Sequence, residues 1–143
     1  MRKLITVTAC MLFSATTIAN SNTIFSCTTT EGKGLNIKST GNDYIFTYDK
    51  ISFKSPIKNV MENEGTEIAG GSGFTTYSLN FNHNEYSYSV GYIEPKGNSK
   101  ELIEPGGSIT RNGTFVDIME CNRKKPIHIN FDKKIMRKTG FAK

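Results

Sequence analysis

Large apolar and small polar side chains alternate with a period of two along most of this chain, a pattern that is typical of half-buried β-strands. The alternation is strongest over residues 76–81 and 86–92, which the polar turn Asn82-His83-Asn84 separates. Because successive side chains of a strand point to opposite faces, the two runs predict an antiparallel hairpin with one apolar face.

Weaker runs of the same kind precede the hairpin. Their apolar positions are Leu35 and Ile37, then Tyr44, Phe46 and Tyr48, then Ile51 and Phe53. Residues 57–61, which follow the strand-breaking Pro56, are predicted as another short strand. Residues 62–73 are rich in glycine and acidic side chains and are predicted to form a flexible loop.

The pattern continues after the hairpin. Residues 95–107 are predicted as a polar loop, and residues 108–110 are predicted to pair with residues 114–121. The connection between that pair is Arg111-Asn112-Gly113, and Asn-Gly is a strong signal for a tight hairpin turn.

These runs amount to about seven or eight short strands, and no helical periodicity occurs before Cys121. We therefore predict an all-β fold, most simply a small antiparallel barrel, with a compact sandwich as the alternative. The predicted domain spans residues 22–121, and a C-terminal extension spans residues 122–143. A chain of about this length is enough for one domain with one modest core.

The first residues have the order of a secretory signal peptide. Met1-Arg2-Lys3 is basic, residues 4–15 are largely apolar, and small residues follow at a spacing that suits cleavage after Ala19 or Ser21. An apolar run of about 12 residues is too short to span a hydrocarbon core of roughly 30 Å. We therefore predict that residues 1–21 are removed and that the mature protein is exported, with a lipoprotein as the less favoured alternative.

The chain contains three cysteines, of which Cys10 lies in the predicted signal peptide and leaves with it. Cys27 and Cys121 remain near the two ends of the predicted domain, and two cysteines in an exported chain most often form one disulfide. In the chain-entropy model a loop of this length is worth roughly 4 kcal/mol. A metal site is the alternative, but His83 and His128 are not at a ligand spacing from either cysteine.

Charge is divided unevenly between the domain and the extension. Residues 22–121 contain 8 basic and 12 acidic side chains, whereas residues 122–143 contain 8 basic and one acidic. We expect the extension to be a solvated tail that aids solubility or lies on the acidic domain, and membrane contact through anionic lipid is the further alternative. Within it, residues 127–131 are a candidate strand, and Asp132 is a candidate cap for a short helix over residues 133–137.

No group of residues has the pattern of a catalytic site. Gly71-Ser72-Gly73 is a glycine-flanked serine without the strand-turn-helix context of a nucleophile elbow. No glycine-rich phosphate loop precedes a helix, and no nucleic-acid recognition motif is present. We therefore expect a protein-binding protein that is not an enzyme and has no cofactor, metal or nucleic-acid partner.

Several landmarks follow one another in a distinctive order over residues 25–121. They are Phe25-Ser26-Cys27, Leu35-Asn36-Ile37, Tyr44–Tyr48, Ser72-Gly73, the aromatic strand Tyr86–Tyr92 and the final Cys121. In this order and spacing the chain resembles the membrane-bound and periplasmic inhibitors of C-type lysozyme. Members of that family are small eight-stranded antiparallel barrels with one disulfide, exported by Gram-negative bacteria. The resemblance implies a periplasmic protein whose partner is a lysozyme.

The resemblance also implies candidate binding residues. In these inhibitors a serine of a Ser-Gly motif and a lysine of a later loop enter the lysozyme cleft and engage its catalytic carboxylates. Ser72-Gly73 matches the first motif, and Arg111 is the basic residue offered by the turn before the last strand. The acidic domain favours approach to a basic lysozyme. The alternative function is a binding module or immunity-type protein for another envelope partner.

Overall fold

The computed structural model describes residues 21–141, in which eleven strands and one short helix are present. The strands are β1 (Ser21–Thr28), β2 (Gly34–Thr40), β3 (Asp43–Tyr48), β4 (Ile51–Pro56), β5 (Glu67–Gly70), β6 (Phe74–His83), β7 (Tyr86–Pro95), β8 (Ile103–Arg111), β9 (Thr114–Glu120), β10 (His128–Ile129) and β11 (Arg137–Gly140). The helix, α1 (Ile57–Glu62), lies between β4 and β5. The predicted signal peptide, with Cys10, lies outside the described residues, except that β1 begins at Ser21.

The strands form two sheets with the orders β10-β1-β2-β3-β4 and β11-β5-β6-β7-β8-β9. Neighbouring strands are antiparallel, except that β11 runs parallel to β5. β6 and β7 form the predicted antiparallel hairpin, in which Tyr77 lies opposite Tyr92. The predicted turn at Asn82-His83-Asn84 is wrong, because Asn82 and His83 belong to β6 and the turn is Asn84-Glu85, where Asn84 adopts a positive φ of 55°. The second predicted hairpin is confirmed as well, because Arg111 lies opposite Thr114 across Asn112-Gly113.

The apolar faces of the two sheets pack against each other and form one core. Phe46 of the first sheet contacts Phe81 and Tyr88 of the second, with ring centroids 5.4 and 4.9 Å apart. The largest fully buried side chains are Phe25, Phe46, Phe81, Leu35, Ile37, Leu79, Met119, Val60 and Val90. The all-β class is therefore confirmed. No helix within residues 21–141 has the length and hydrophobicity that a membrane crossing requires.

The two sheets are joined where β1 and β9 end. Cys27 and Cys121 form the predicted disulfide, with their Cα atoms 5.8 Å apart, and Cys121 also pairs with Thr29 in an antiparallel bridge. The chain then passes from β9, which pairs with β8, to β10, which pairs with β1. Neither sheet closes on itself within the described residues, so closure into a barrel stays a prediction.

The prediction of a strand at residues 57–61 is wrong, because these residues form α1. Ile57, Val60 and Met61 have the spacing of one helical face, and Val60 is 1% exposed within the core. Pro56 stands at the N-cap, where its missing N–H leaves no helical hydrogen bond unmade. A single turn and a half of helix is too short for this spacing to be distinguished from a strand in the sequence.

The prediction of a flexible loop over residues 62–73 is also wrong, because β5 lies within it. Ile68 is 5% exposed, and the hydroxyl of the fully buried Thr66 accepts a hydrogen bond of 2.8 Å from the backbone N–H of Asn80. The predicted loop over residues 95–107 is likewise shorter, since β8 begins at Ile103. In both places pairing with a neighbouring strand outweighs a turn-rich local composition.

The described part of the extension lies on the domain. Phe131 and Met136 are 6% and 5% exposed, and Phe131 contacts Phe25 at a ring distance of 6.1 Å. The candidate strand at residues 127–131 is confirmed as the short β10. The predicted helix after Asp132 is wrong, because Asp132 instead accepts hydrogen bonds within a turn that leads into β11. Burial of two apolar side chains from this basic segment explains why it is ordered.

Candidate functional site

Ser72 and Gly73 form the exposed tip of the tight turn between β5 and β6. The backbone N–H of Gly71 donates a 2.8 Å hydrogen bond to the carbonyl oxygen of Phe74, which closes the turn. Gly70 lies opposite Thr75 immediately below it. The Ser72 hydroxyl is therefore presented to solvent on a turn whose backbone is fixed.

Lys96, in the loop after β7, is held against this turn by two hydrogen bonds. Its backbone N–H donates to the carbonyl oxygen of Gly73 over 2.9 Å, and its Nζ donates to the carbonyl oxygen of Gly71 over 2.6 Å. None of the ion pairs within residues 21–141 includes Lys96. An ammonium group has three donors, so two remain for an incoming anion. We call Gly71–Gly73 together with Lys96 the hairpin-tip site.

Arg111, the basic partner expected from the sequence, lies at the other end of the second sheet. It stands opposite Tyr86, where β7 begins, whereas Ser72 lies beside the point where β6 begins and β7 ends. Ten residues of β6 separate the two ends, which corresponds to about 30 Å along the strand. The structure therefore brings Ser72 and Gly73 together with Lys96 and not with Arg111.

The Arg111 guanidinium already has partners of its own. It donates a 2.7 Å hydrogen bond to Glu85 and lies 5.6 Å from the ring centroid of Tyr86. The hydrogen bond to Glu85 raises the pKa of Arg111 above its usual value. This is an exposed ion pair of the kind that adds little to stability.

Sequence reasoning missed Lys96, and the predicted position of the turn between β6 and β7 was wrong. The turn lies at Asn84-Glu85 and not at the predicted Asn82-His83-Asn84, and the resulting register places Phe74 opposite Pro95. One further step along both strands places Gly73 opposite Lys96. Counting outward from the predicted turn would have placed Gly73 opposite Ile93, three residues short of Lys96.

The core side of the sheet below the site is braced by the extension. Tyr77 and Tyr92 stack with their ring centroids 4.7 Å apart, and Lys133 Nζ lies 4.2 Å from the Tyr77 centroid. Lys133 also forms a 3.4 Å ion pair with Glu94. Burial, assisted by a hydrogen bond with Glu94, raises the pKa of Tyr77 to about 12. These contacts fasten the ends of β6 and β7, from which the hairpin-tip site projects.

A second surface feature lies on the outer face of the same sheet. It is an open concavity of about 500 Å³ whose floor consists of small residues and whose rim is apolar and acidic. The residues involved are Ser78, Ser89, Gly91, Gly106, Ile93, Ile118, Glu104 and Glu120. At Gly91 a Cβ atom would collide with the backbone of Tyr77, so this part of the floor requires glycine. The concavity contains no basic side chain among its lining residues.

No protein-family model, no curated protein and no solved structure matches this chain. The functional argument therefore depends on the geometry of the hairpin-tip site.

Proposed function

We propose that this protein is exported to the periplasm and inhibits a C-type lysozyme by inserting the hairpin-tip site into the catalytic cleft. The observation that carries the proposal is the position of Lys96. Its ammonium group lies 2.6 Å from the Gly71 carbonyl oxygen, beside the exposed Ser72 on a turn of fixed backbone. A cation and a hydroxyl are thus presented together at the exposed turn between β5 and β6.

A cation beside a hydroxyl suits the chemistry of a glycosidase cleft. A glycosidase cleft contains a pair of carboxyl groups on either side of the scissile bond. Lys96 could donate its two remaining hydrogen bonds to one carboxylate, and the Ser72 hydroxyl could donate to the other. A buried ion pair needs good geometry to offset its desolvation, and the fixed backbone of the turn reduces the entropy lost on binding.

The arrangement also agrees with the resemblance to the membrane-bound and periplasmic inhibitors of C-type lysozyme. In those proteins the lysine comes from a loop later than the Ser-Gly motif, as Lys96 does relative to Ser72-Gly73. The disulfide between Cys27 and Cys121 is compatible with an oxidising compartment such as the periplasm. The proposal includes closure of the two sheets into a barrel like that of the inhibitors.

A lysis assay with the mature protein, residues 22–143, tests the proposal. We expect lysozyme-catalysed lysis of peptidoglycan to decrease in proportion to the added protein and to stop near an equimolar ratio. Unchanged lysozyme activity at a large molar excess of the protein would rule out inhibition.

The second candidate is a binding module for a different envelope protein, and the outer-face concavity favours it. Ile118, on its rim, is 56% exposed, and Glu104 and Glu120 make the rim acidic. An extended basic and apolar segment would complement this surface. The substitution Ile118→Ser should then abolish binding to that envelope partner without changing the effect of the protein on lysozyme activity. If the Ile118→Ser variant still binds the partner, this surface is not the binding site.

A further inference from the structure

The last strand brings an exposed aromatic ring next to the hairpin-tip site. β11 pairs in parallel with β5, so that Gly140 lies beside Gly70. The backbone N–H of Phe141 then donates a 2.9 Å hydrogen bond to the carbonyl oxygen of Gly70. The Phe141 side chain is 73% exposed, although its backbone is fixed one residue away from Gly71.

Gly140 makes this position possible. Its φ of +61° lies in the left-handed region, and a Cβ atom there would collide with the Gly70 carbonyl oxygen. Only glycine allows the chain to approach β5 so closely while it turns into Phe141. The glycine at position 140 therefore fixes where the backbone of Phe141 lies.

A second exposed aromatic ring lies at the start of β6. Phe74 is 47% exposed, and its ring lies across Gly71, where an added Cβ atom would be 3.1 Å from the ring carbons. Phe74, Phe141 and the ammonium group of Lys96 are thus all positioned around Gly70 and Gly71. Aromatic side chains, including phenylalanine, are enriched in protein–protein interfaces relative to the rest of the surface.

We infer that β11 is part of the binding surface and that Phe141, with Phe74, contacts the wall of the partner's cleft while Lys96 meets its carboxylates. The inference rests on the proposed function. The partner would be a glycan-cleaving protein whose cleft has apolar side chains next to its catalytic carboxylates. The extension would then have a role in recognition as well as in the core.

The test compares inhibition constants for lysozyme among single variants of the mature protein. Phe141→Ser removes the ring, and Gly140→Ala displaces it without changing it. Phe115→Ser is the matched control, because Phe115 is 63% exposed but lies on β9, away from the site. We expect the inhibition constant to rise about tenfold or more for the first two variants and to change less than twofold for the control.

The outcomes separate the inference from the proposed function. If the unmodified protein does not inhibit, the proposed function fails and the inference fails with it. If the unmodified protein inhibits and Phe141→Ser behaves like Phe115→Ser, only the inference is overturned.

Amide chemical shifts of the ¹⁵N-labelled unmodified protein provide a readout that does not depend on any variant folding. Added lysozyme should shift the Phe141 and Gly70 signals, and unshifted signals in a formed complex would also overturn the inference.

Discussion

The Nζ atom of Lys96 lies 2.6 Å from the carbonyl oxygen of Gly71, so the loop after β7 is fastened to the turn between β5 and β6. These two segments are 25 residues apart in the chain, and the hairpin register brings them together at one end of the second sheet. The contact presents a cation beside Ser72 without an acidic partner among the described residues to neutralise it. That combination is the basis of the proposed function.

Lys96 and Arg111 provide a matched pair of exposed basic residues for a direct comparison. We expect Lys96→Ala to weaken lysozyme inhibition by about 30-fold or more, because loss of one partner from a buried charge pair costs about 2–5 kcal/mol. Arg111→Ala should leave inhibition unchanged, since Arg111 lies at the far end of the sheet. Inhibition constants from steady-state assays measure both effects. Equal losses of inhibition in the two variants would show that lysozyme is not bound through the hairpin-tip site.

The disulfide should be a large contributor to stability. Cys27 and Cys121 are 94 residues apart in the chain, and in the chain-entropy model closure of such a loop stabilises by roughly 4–5 kcal/mol. We expect the double variant Cys27→Ser, Cys121→Ser to lose about that free energy of unfolding in a urea titration. A loss below about 1 kcal/mol would mean that the backbone bridge between residues 29 and 121 holds the two sheets together without the disulfide.

Phe131 tests whether the extension belongs to the core. It is 6% exposed and contacts Phe25 and Tyr92, so Phe131→Ala should lower the free energy of unfolding by about 3–5 kcal/mol. The control is Ile135→Ala, because Ile135 is 48% exposed in the same segment and should cost less than about 0.5 kcal/mol. Equilibrium unfolding of both variants decides the point. Similar small losses would indicate that the extension detaches without cost.

Tyr77 makes stability depend on pH in the alkaline range. An unfolded tyrosine ionises near pH 10, whereas burial and the hydrogen bond with Glu94 raise the pKa of Tyr77 in the fold to about 12. The stabilising contribution is therefore complete below about pH 10 and is lost as the pH rises toward about 12, because the unfolded chain releases its proton first. The parent protein should lose more stability than Tyr77→Phe between about pH 9 and pH 11.5. If urea titrations show that the two proteins lose the same free energy of unfolding over this pH range, the raised pKa of Tyr77 is contradicted.

Much of the fold could be predicted because a period-two pattern leaves few alternatives. The pairing of β6 with β7 and the Asn112-Gly113 turn follow from local residues alone, and so does the disulfide once Cys10 is assigned to the predicted signal peptide. Elements that depend on distant partners were missed. β5 contributes one buried aliphatic residue, Ile68, and exists because β6 and β11 pair with it on either side.

The candidate site was predicted only in half. Ser72-Gly73 could be identified as a motif, but the family resemblance directed attention to the turn before the last strand and therefore to Arg111. Lys96 follows from the register of β6 against β7, which the turn at Asn84-Glu85 fixes, whereas a turn at Asn82-His83-Asn84 would shift that register by three residues. Phe141 had no signal of its own, because its position depends on the parallel pairing of β11 with β5.

Competition in the lysozyme cleft tests the central proposal most directly. Binding of the mature protein to a C-type lysozyme is measured by calorimetric titration, first alone and then with the cleft saturated by an oligosaccharide of N-acetylglucosamine. If the hairpin-tip site enters the cleft, the protein should bind near a one-to-one ratio, and the oligosaccharide should weaken that binding in proportion to its occupancy. Absence of binding, or binding of equal strength in the presence of the oligosaccharide, would contradict insertion of Ser72 and Lys96 into the cleft.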